Sequence, residues 1–453
     1  MPKIIIANVD SDSMCGCDMT PEIHALSSMC CDRLLVMAQD EDLVVLPHSV
    51  SEEFIDYVNH LLGRHLSPHN VVVPAEGDSR QLILNDDSLN DGFVAARIRE
   101  RAGAPSGALG ADWSVLAYFV DRPVMALADE LGVRLHGIDE GTARSTRDFL
   151  RSGGAESFNS KVLFRQLAST VGAPVPEGRI ATSAPELARA LRILLPETGR
   201  VIIKQDLNSG GAGNTAVTTF EEDRLIGASR VIGVDGDTDL AALADGVWPT
   251  LSVQRTTRVV VESYHRAAEV YYSELWVPGP LGSPQILNFG EMRMEPTFIG
   301  FEIPGQRMAA AHAADMTAHS MELAREAGRR GFVGYVNIDS IVTEQGELLF
   351  NEVNGRMGCC TNIDYLARTL VGEDYLRSRV VLTYNWTSVS SFTAAVKVLD
   401  EAGLSFDQAE RTGVVIAIED VARTGTVDYM VVGLDAEHAR DLERRALAAF
   451  EIA

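Results

Sequence analysis

The sequence predicts an α/β protein with an α+β core, and three stretches carry that reading. Residues 1 to 140 alternate short apolar runs of strand length with helical segments, the pattern of a mostly parallel sheet covered on its faces. Residues 331 to 358 read as two strands joined by a turn at Gln345-Gly346. Residues 385 to 453 read as a small α/β tail, with strands over 413–418 and 427–432 and a helix over 435–449. At 453 residues the chain has length for two to four domains.

Composition narrows the classes. Hydrophobic residues make up 46% and charged residues 23%, an ordinary globular balance. The 39 lysines and arginines against 64 aspartates and glutamates leave a net charge of −25. Nucleic acid and anionic membranes call for a basic face, so neither is expected as the main partner. The acidity serves solubility first and a cationic substrate second. No apolar run approaches the roughly 20 residues that span a bilayer. The opening MPKIIIANVDSDS reads as a strand and a polar loop rather than a signal peptide. Cys15, Cys17, Cys30, Cys31, Cys359 and Cys360 lack the Cys-x-x-Cys spacing of a zinc site. Reduced thiols and a cytoplasmic location are the expectation.

In chain order, strands at 4–7, 43–46 and 71–73 flank a helix that opens at Ser51 and stops at Gly63. A helix over 117–131 and a strand over 133–136 close the first unit. No GxGxxG follows the first strand, which argues against a dinucleotide site. A helix capped by Ser157 or Asn159 carries Lys161 in its first turns and stops at Gly172. A helix over 185–195 and a strand over 200–205 follow, with Lys204 amid Val201, Ile202 and Ile203. Ser209, Gly210, Gly211 and Gly213 come next. Glycines let backbone N–H groups close on phosphate oxygens, and the preceding lysine neutralises their charge. This is not a Walker A loop, because the lysine precedes the glycines.

Residues 221 to 256 are expected to form an irregular acidic insertion. Asp235, Asp237 and Asp239 imitate a calcium loop, but Leu240 stands where glycine is needed and Gly246 where glutamate is needed. A strand over 258–261 leads into Glu262-Ser263-Tyr264, where backbone groups can read an adenine edge, and Glu269 can accept from ribose hydroxyls. After a strand over 285–290 come Arg293 and a lid loop over 291–305, then a helix over 306–329. In the 331–358 hairpin, alternation sets Asp339 and Glu352 on one face of adjacent strands, with Asn354 just beyond. Two carboxylates and an amide oxygen converging on one point suit Mg²⁺ bound to a polyphosphate, since Mg²⁺ takes hard oxygen ligands and keeps some water. Residues 361–380 are expected to be helical.

With these parts in this order the chain resembles the ATP-grasp superfamily over roughly residues 140 to 380. The resemblance is carried by Lys161, Lys204, the glycine loop, Glu262 to Tyr264, Glu269, Asp339 and Glu352-Val353-Asn354-Gly355-Arg356. Intervals of 43 from Lys161 to Lys204 and 13 from Asp339 to Glu352 are of the size that family shows. Within it, the layout is similar to the peptide ligases of the pheganomycin-biosynthesis type, which join a non-standard amino acid to a peptide amine. The resemblance implies an ATP-grasp fold with an N-terminal pre-ATP-grasp α/β domain over 1–140, a core over 141–380 and a small C-terminal α/β domain over 381–453.

It also implies ATP and Mg²⁺ as cofactors. Lys161, Lys204 and the loop of Ser209, Gly210, Gly211 and Gly213 would hold phosphates, the Ser263–Tyr264 backbone adenine, and Glu269 ribose. Asp339, Glu352 and Asn354 would hold the metal, and Arg356 a phosphate or substrate carboxylate. Asn337 stands where D-alanine–D-alanine ligases carry an arginine, so Arg293 is expected to take that role on an acyl phosphate. The implied reaction is attack of a carboxylate on the γ-phosphate, followed by displacement of phosphate by an amine. The partners implied are a small-molecule carboxylate, a cationic amino-acid derivative among the options, and a peptide amine in natural-product biosynthesis, with a homodimer open. A kinase, a carboxylase acting on bicarbonate and a non-catalytic nucleotide sensor are the alternatives.

Overall fold

The structure, a computed structural model, describes residues 1–15, 27–75, 83–104, 107–110, 112–138, 141, 143–208, 211, 213–222, 224–252, 257–295 and 298–452. Three sheets organise them. The first is parallel, in the order β3-β2-β1-β4-β5, from β1 (Lys3–Ile6), β2 (Leu43–Val45), β3 (Val71–Val72), β4 (Ser114–Ala117) and β5 (Arg134–Leu135). Ile4, Ile5 and Ile6 are all fully buried, because helices cover both faces of a parallel sheet and alternation is not required. The flanking helix Glu52–Leu62 starts where Ser51 Oγ accepts from the Phe54 N–H at 3.2 Å and stops at Gly63 with φ 64°. The strand order reverses between β1 and β4, so the loops after these strands part and open a crevice at their carboxyl ends. Tyr118 stands there, directly after β4. The helix expected over 117–131 begins only at Arg122: Asp121 caps it by accepting from the Val124 N–H at 3.2 Å, and Ala117 ends the strand.

The second sheet runs β6-β10-β7-β8-β9, from β6 (Gly178–Ala181), β7 (Arg200–Gln205), β8 (Thr215–Thr218), β9 (Arg230–Gly233) and β10 (Val259–Ser263). Helices Ala184–Thr198 and Leu240–Leu251 seal an apolar core of its own, around Leu187, Leu191, Val201, Ile203 and Val259. Residues 221 to 256 are therefore not wholly irregular. They supply β9 and the second of these helices, which buries Ala244, Val247 and Leu251 at helical spacing. The acidic residues before it are local: Asp239 caps the helix by accepting from the Ala241 N–H at 2.9 Å.

The third sheet has eight strands in the order β15-β14-β11-β12-β13-β16-β18-β17. They are β11 (Ala267–Val277), β12 (Gln285–Met294), β13 (Phe298–Ile303), β14 (Gly334–Thr343), β15 (Leu348–Asn354), β16 (Val380–Ser388), β17 (Gly413–Asp420) and β18 (Thr426–Gly433). The lid loop expected over 291–305 is mostly strand: β12 runs on to Met294 and pairs with β13, with Met292 opposite Phe301. Pro296 lies outside the described residues. The tail strands β16 to β18 continue this same sheet, and one apolar core joins the first sheet, the third sheet and the tail. Residues 361–380, expected to be helical, form helices Thr361–Leu370 and Tyr375–Ser378 before β16 begins at Val380. Among the described residues no helix is long and apolar enough to cross a membrane.

Candidate nucleotide and metal site

The second and third sheets face each other across a cavity of about 460 Å³. Lys204 and Glu262 reach it from one sheet, Val270, Asp339 and Ile341 from the other, and Lys161 and Glu352 stand near its floor. Ile202, Ile341, Met292, Met294 and Phe298 give part of the wall an apolar surface suited to a flat ring.

Helix Lys161–Val171 opens at Ser160, whose Oγ accepts from the Leu163 N–H at 3.1 Å; the cap is Ser160, because residues 154–157 are taken by a separate helical turn. Asp206, directly after β7, ties this helix start to the strand that carries Lys204. Its Oδ1 accepts from Ser160 Oγ at 2.6 Å and from the Val162 N–H at 2.9 Å. Lys161 Nζ donates to the Asn208 carbonyl at 2.9 Å and lies 3.2 Å from Glu352 Oε2. Lys204 Nζ lies 2.7 Å from Glu262 Oε2, and Arg165 grips the other oxygen of that carboxylate. Glu262 is 2% exposed, and two cations beside it make such burial tolerable. Of the glycine loop, Gly211 lines the cavity at φ 73°, where a side chain would be strained. Gly213 instead packs inward, since a Cβ there would stand 2.2 Å from Gln205 Oε1. Ser209 and Gly210 lie outside the described residues.

On the hairpin, Asp339 sits directly opposite Glu352 and Asn337 opposite Asn354, which puts each pair on one face. Burial, with the charge of Glu352 beside it, drives the Asp339 carboxyl well above the usual carboxylate range. Burial also pushes Glu352 upward, but Lys161, Lys204 and Arg356 together overcome it and hold that carboxyl at about 2. A crowded carboxylate pair of this kind is relieved by a divalent cation. Among the described residues no three His, Cys, Asp or Glu side chains gather into a metal cage. Two carboxylates and one amide fall short of the octahedral shell of Mg²⁺, so the donor set fits an ion that brings phosphate oxygens and water with it. Asn354 Oδ1 accepts from Arg356 Nη2 at 3.2 Å while its Nδ2 faces Glu352 Oε1 at 3.4 Å. A half-turn of the amide would bring the oxygen to the metal side.

Two expected residues are elsewhere. Glu269 pairs with Val342, whereas the next residue, Val270, pairs with Ile341, and Val270 and Ile341 are the ones that line the cavity. Glu269 therefore points from the opposite face of the sheet, where its carboxylate accepts from Tyr271 OH, and it does not reach a ribose in this cavity. Arg293 stands between Met292 and Met294, which face the cavity, and so it too faces away. It is ion-paired with Glu443 of helix Ala436–Phe450 and donates to the Thr383 carbonyl at 3.0 Å. That is a structural clamp on the tail, not a contact to an acyl phosphate. The N–H groups expected to read an adenine edge are engaged within the protein. The Ser263 N–H is spent on the Glu177 carbonyl at 2.8 Å and the Tyr264 N–H on that of Arg200 at 3.0 Å. His265, next in the chain and lining the cavity, is the first residue past these two engaged donors.

Arg356 stays at the site, donating to Asn354 Oδ1 and, at 3.1 Å, to Tyr118 OH from the first sheet. Sequence reasoning missed Tyr118, Arg165 and Glu274. Glu274 is fully buried in β11, on the cavity-facing side of the strand but beyond the cavity. It accepts from Thr361, from Asn288 Nδ2 at 2.8 Å and from Asn337 Nδ2 at 3.4 Å. A glutamate inside the apolar run Tyr271 to Val277 was the available signal; Tyr118 and Arg165 had none.

Residues 31–133 match the pre ATP-grasp domain family, and residues 394–446 match the PGM1 C-terminal domain family. No curated protein matches the sequence. Among solved structures, the biotin carboxylase of Campylobacter jejuni in complex with β-γ-ATP is similar at TM-score 0.56 and 12% identity, over 99% of this chain and 91% of that one. N5-carboxyaminoimidazole synthase of Aspergillus clavatus, bound to ADP and 5-aminoimidazole ribonucleotide, is similar at TM-score 0.55 and 11% identity, over 99% and 98%. The biotin carboxylase domain dimer of Hydrogenobacter thermophilus 2-oxoglutarate carboxylase, with MgADP, ADP and bicarbonate, is similar at TM-score 0.58 and 12% identity, over 98% and 89%. At such identities the likeness is one of fold. The chain has the ATP-grasp fold, with an N-terminal pre-ATP-grasp domain and a C-terminal domain of the PGM1 type.

Proposed function

We propose that the chain is an ATP- and Mg²⁺-dependent ligase that activates a carboxylate as an acyl phosphate and passes it to an amine. The observation that carries this reading is the Asp339–Glu352 pair with Lys161 3.2 Å from Glu352, at the floor of a cavity large enough for a nucleotide. Asp339 and Glu352, with Asn354 after an amide turn, would hold Mg²⁺, which would supply charge neutralisation for the phosphates of ATP. Lys161 and Lys204 would lie along the same phosphates, Gly211 would allow close approach of the loop, and His265 would donate to the adenine edge. A carboxylate oxygen attacks the γ-phosphorus, the bridging P–O bond breaks and ADP leaves. The amine nitrogen then adds to the acyl carbonyl, the C–O bond to phosphate breaks, and the nitrogen gives up its proton as the amide forms. Both steps need cations and excluded water more than a side-chain nucleophile.

The substrates we favour are a non-standard, cationic amino acid as the carboxylate and a peptide or amino-acid amine, as in peptide natural-product assembly in the cytoplasm. The support is the resemblance of layout and a net charge of −25. A second reading, carboxylation with bicarbonate as the activated acid, is favoured by the bicarbonate and carboxyaminoimidazole chemistry named for the structural neighbours.

The test is product analysis with MgATP, a panel of amino acids with and without bicarbonate, and short peptides. ADP, phosphate and a product lighter than its two substrates by one water support the ligase. A product gaining the mass of CO₂ selects the carboxylase. A substrate heavier by one phosphate, with no amide, overturns both.

A further inference from the structure

Trp386 lies in β16 and is 39% exposed, yet it lines the cavity between the second and third sheets. Its φ is 58°, in the left-handed region, and among the described residues no other non-glycine residue inside a strand has such a value. The cause is a bulge. Tyr384 pairs with Tyr429 and Thr387 with Val427, so Asn385 and Trp386 together oppose the single residue Asp428. The buried Asp428 carboxylate secures the bulge, its Oδ1 accepting from the Trp386 N–H at 2.7 Å. Strict alternation would have sent Trp386 to the far face with Tyr384, where the Arg293 guanidinium stands over the Tyr384 ring. The bulge turns the indole to the cavity face instead. A bulky side chain in the left-handed region is strained, and a partly exposed indole recovers little of that cost by packing. Strain of this kind collects at ligand contacts.

The place of Trp386 in the sheet says which part of a ligand it meets. From Asp339 to Trp386 the strand order is β14-β11-β12-β13-β16, four strand spacings, or about 19 Å across the sheet. Trp386 is therefore at the opposite end of the cavity from the Asp339–Glu352 pair, out of reach of a reacting phosphate. The wall at its end also holds Met294 and Phe298, which pair with each other across β12 and β13. His265 enters from the same side, since β12 runs past Glu291, opposite Tyr271, toward the start of β11 that His265 leads into. A cavity that is apolar and aromatic at one end and charged at the other suits a nucleotide with its base against Trp386.

We propose that Trp386 is a base-reading residue, through which the C-terminal domain of the PGM1 type closes the nucleotide site over the purine ring. The tail then sets part of the nucleotide affinity and takes no part in the phosphate chemistry. The inference rests on the reading of this cavity as a nucleotide site, and its test separates the two.

The full chain is titrated by calorimetry with MgADP and with magnesium tripolyphosphate, which carries phosphates and no base. Trp386→Gly, which a left-handed backbone accepts without strain, should raise the Kd for MgADP about tenfold, within the range of base–aromatic stacking, while the Kd for magnesium tripolyphosphate stays within about twofold. Trp386→Phe should restore most of the MgADP affinity. Both Kd values are read on one preparation, so a partly unfolded variant lowers the active fraction for both ligands and leaves their ratio alone. An unchanged ratio in Trp386→Gly overturns the proposal, whether both affinities are kept or both fall. A wild-type protein that binds magnesium tripolyphosphate as tightly as MgADP also overturns it, while keeping the phosphate site. A wild-type protein that binds neither ligand overturns the nucleotide reading, and this inference with it.

Discussion

The two faces of the third sheet carry charged residues that look alike in sequence and do opposite things. On the cavity face Asp339 and Glu352 stand side by side against Lys161, close to a volume that fits a nucleotide. On the other face Glu269 accepts from a tyrosine, and Arg293 and Glu291 form ion pairs with Glu443 and Arg307. One residue of register separates the two sets: Glu269 is next to Val270, and Arg293 is next to Met292. In a strand, side-chain parity decides whether a charge meets the ligand or the scaffold, and a one-residue step reverses the outcome.

The largest expected effect belongs to the cavity face. Glu352→Gln is expected to lower ADP formation by roughly 10²- to 10³-fold or more, with an unchanged fold by circular dichroism. Near wild-type turnover in that variant would remove the metal assignment. Glu274 sharpens the point, because it shares the cavity-side parity yet lies beyond the cavity, beneath Thr361. Burial lifts its carboxyl to about 7 from an ordinary 4.5, against the hydrogen bonds from Thr361, Asn288 and Asn337. The folded state then binds the extra proton between those values, so stability falls as pH rises from 4.5 to about 7. Glu274→Gln should cancel that component, worth at most about 3 kcal/mol above neutral pH. Denaturant melts of both proteins at pH values across that range check it, and parallel profiles would sink the idea.

Smaller effects are expected on the far face. Arg293→Met should leave kcat near wild type while costing about 1–3 kcal/mol of stability, the scale of hydrogen bonds to charged groups. The same loss should appear in Glu443→Gln and should not double when the two are combined. A drop in kcat without a drop in stability would return Arg293 to the chemistry. Glu269→Gln, last in size, should change the KM for ATP by less than about twofold, because no route from its face reaches the cavity; a tenfold rise would reverse that assignment.

Much of this was legible in one dimension. Period-2 alternation and the Gln345-Gly346 turn fixed Asp339 opposite Glu352. The apolar run ending in Lys204 marked β7, and Ser51 and Gly63 bounded the first long helix, because caps, turns and strand parity act between near neighbours. Other features came from contacts between distant segments. Ser263 and Tyr264 lost their N–H groups to the carbonyls of Glu177 and Arg200. The tail strands became part of the third sheet through the pairing of β13 with β16. Local order is set by short-range sterics and hydrogen bonds that a sequence displays; which face a side chain ends on, and which donor is left without an acceptor, depends on what the rest of the chain packs against it.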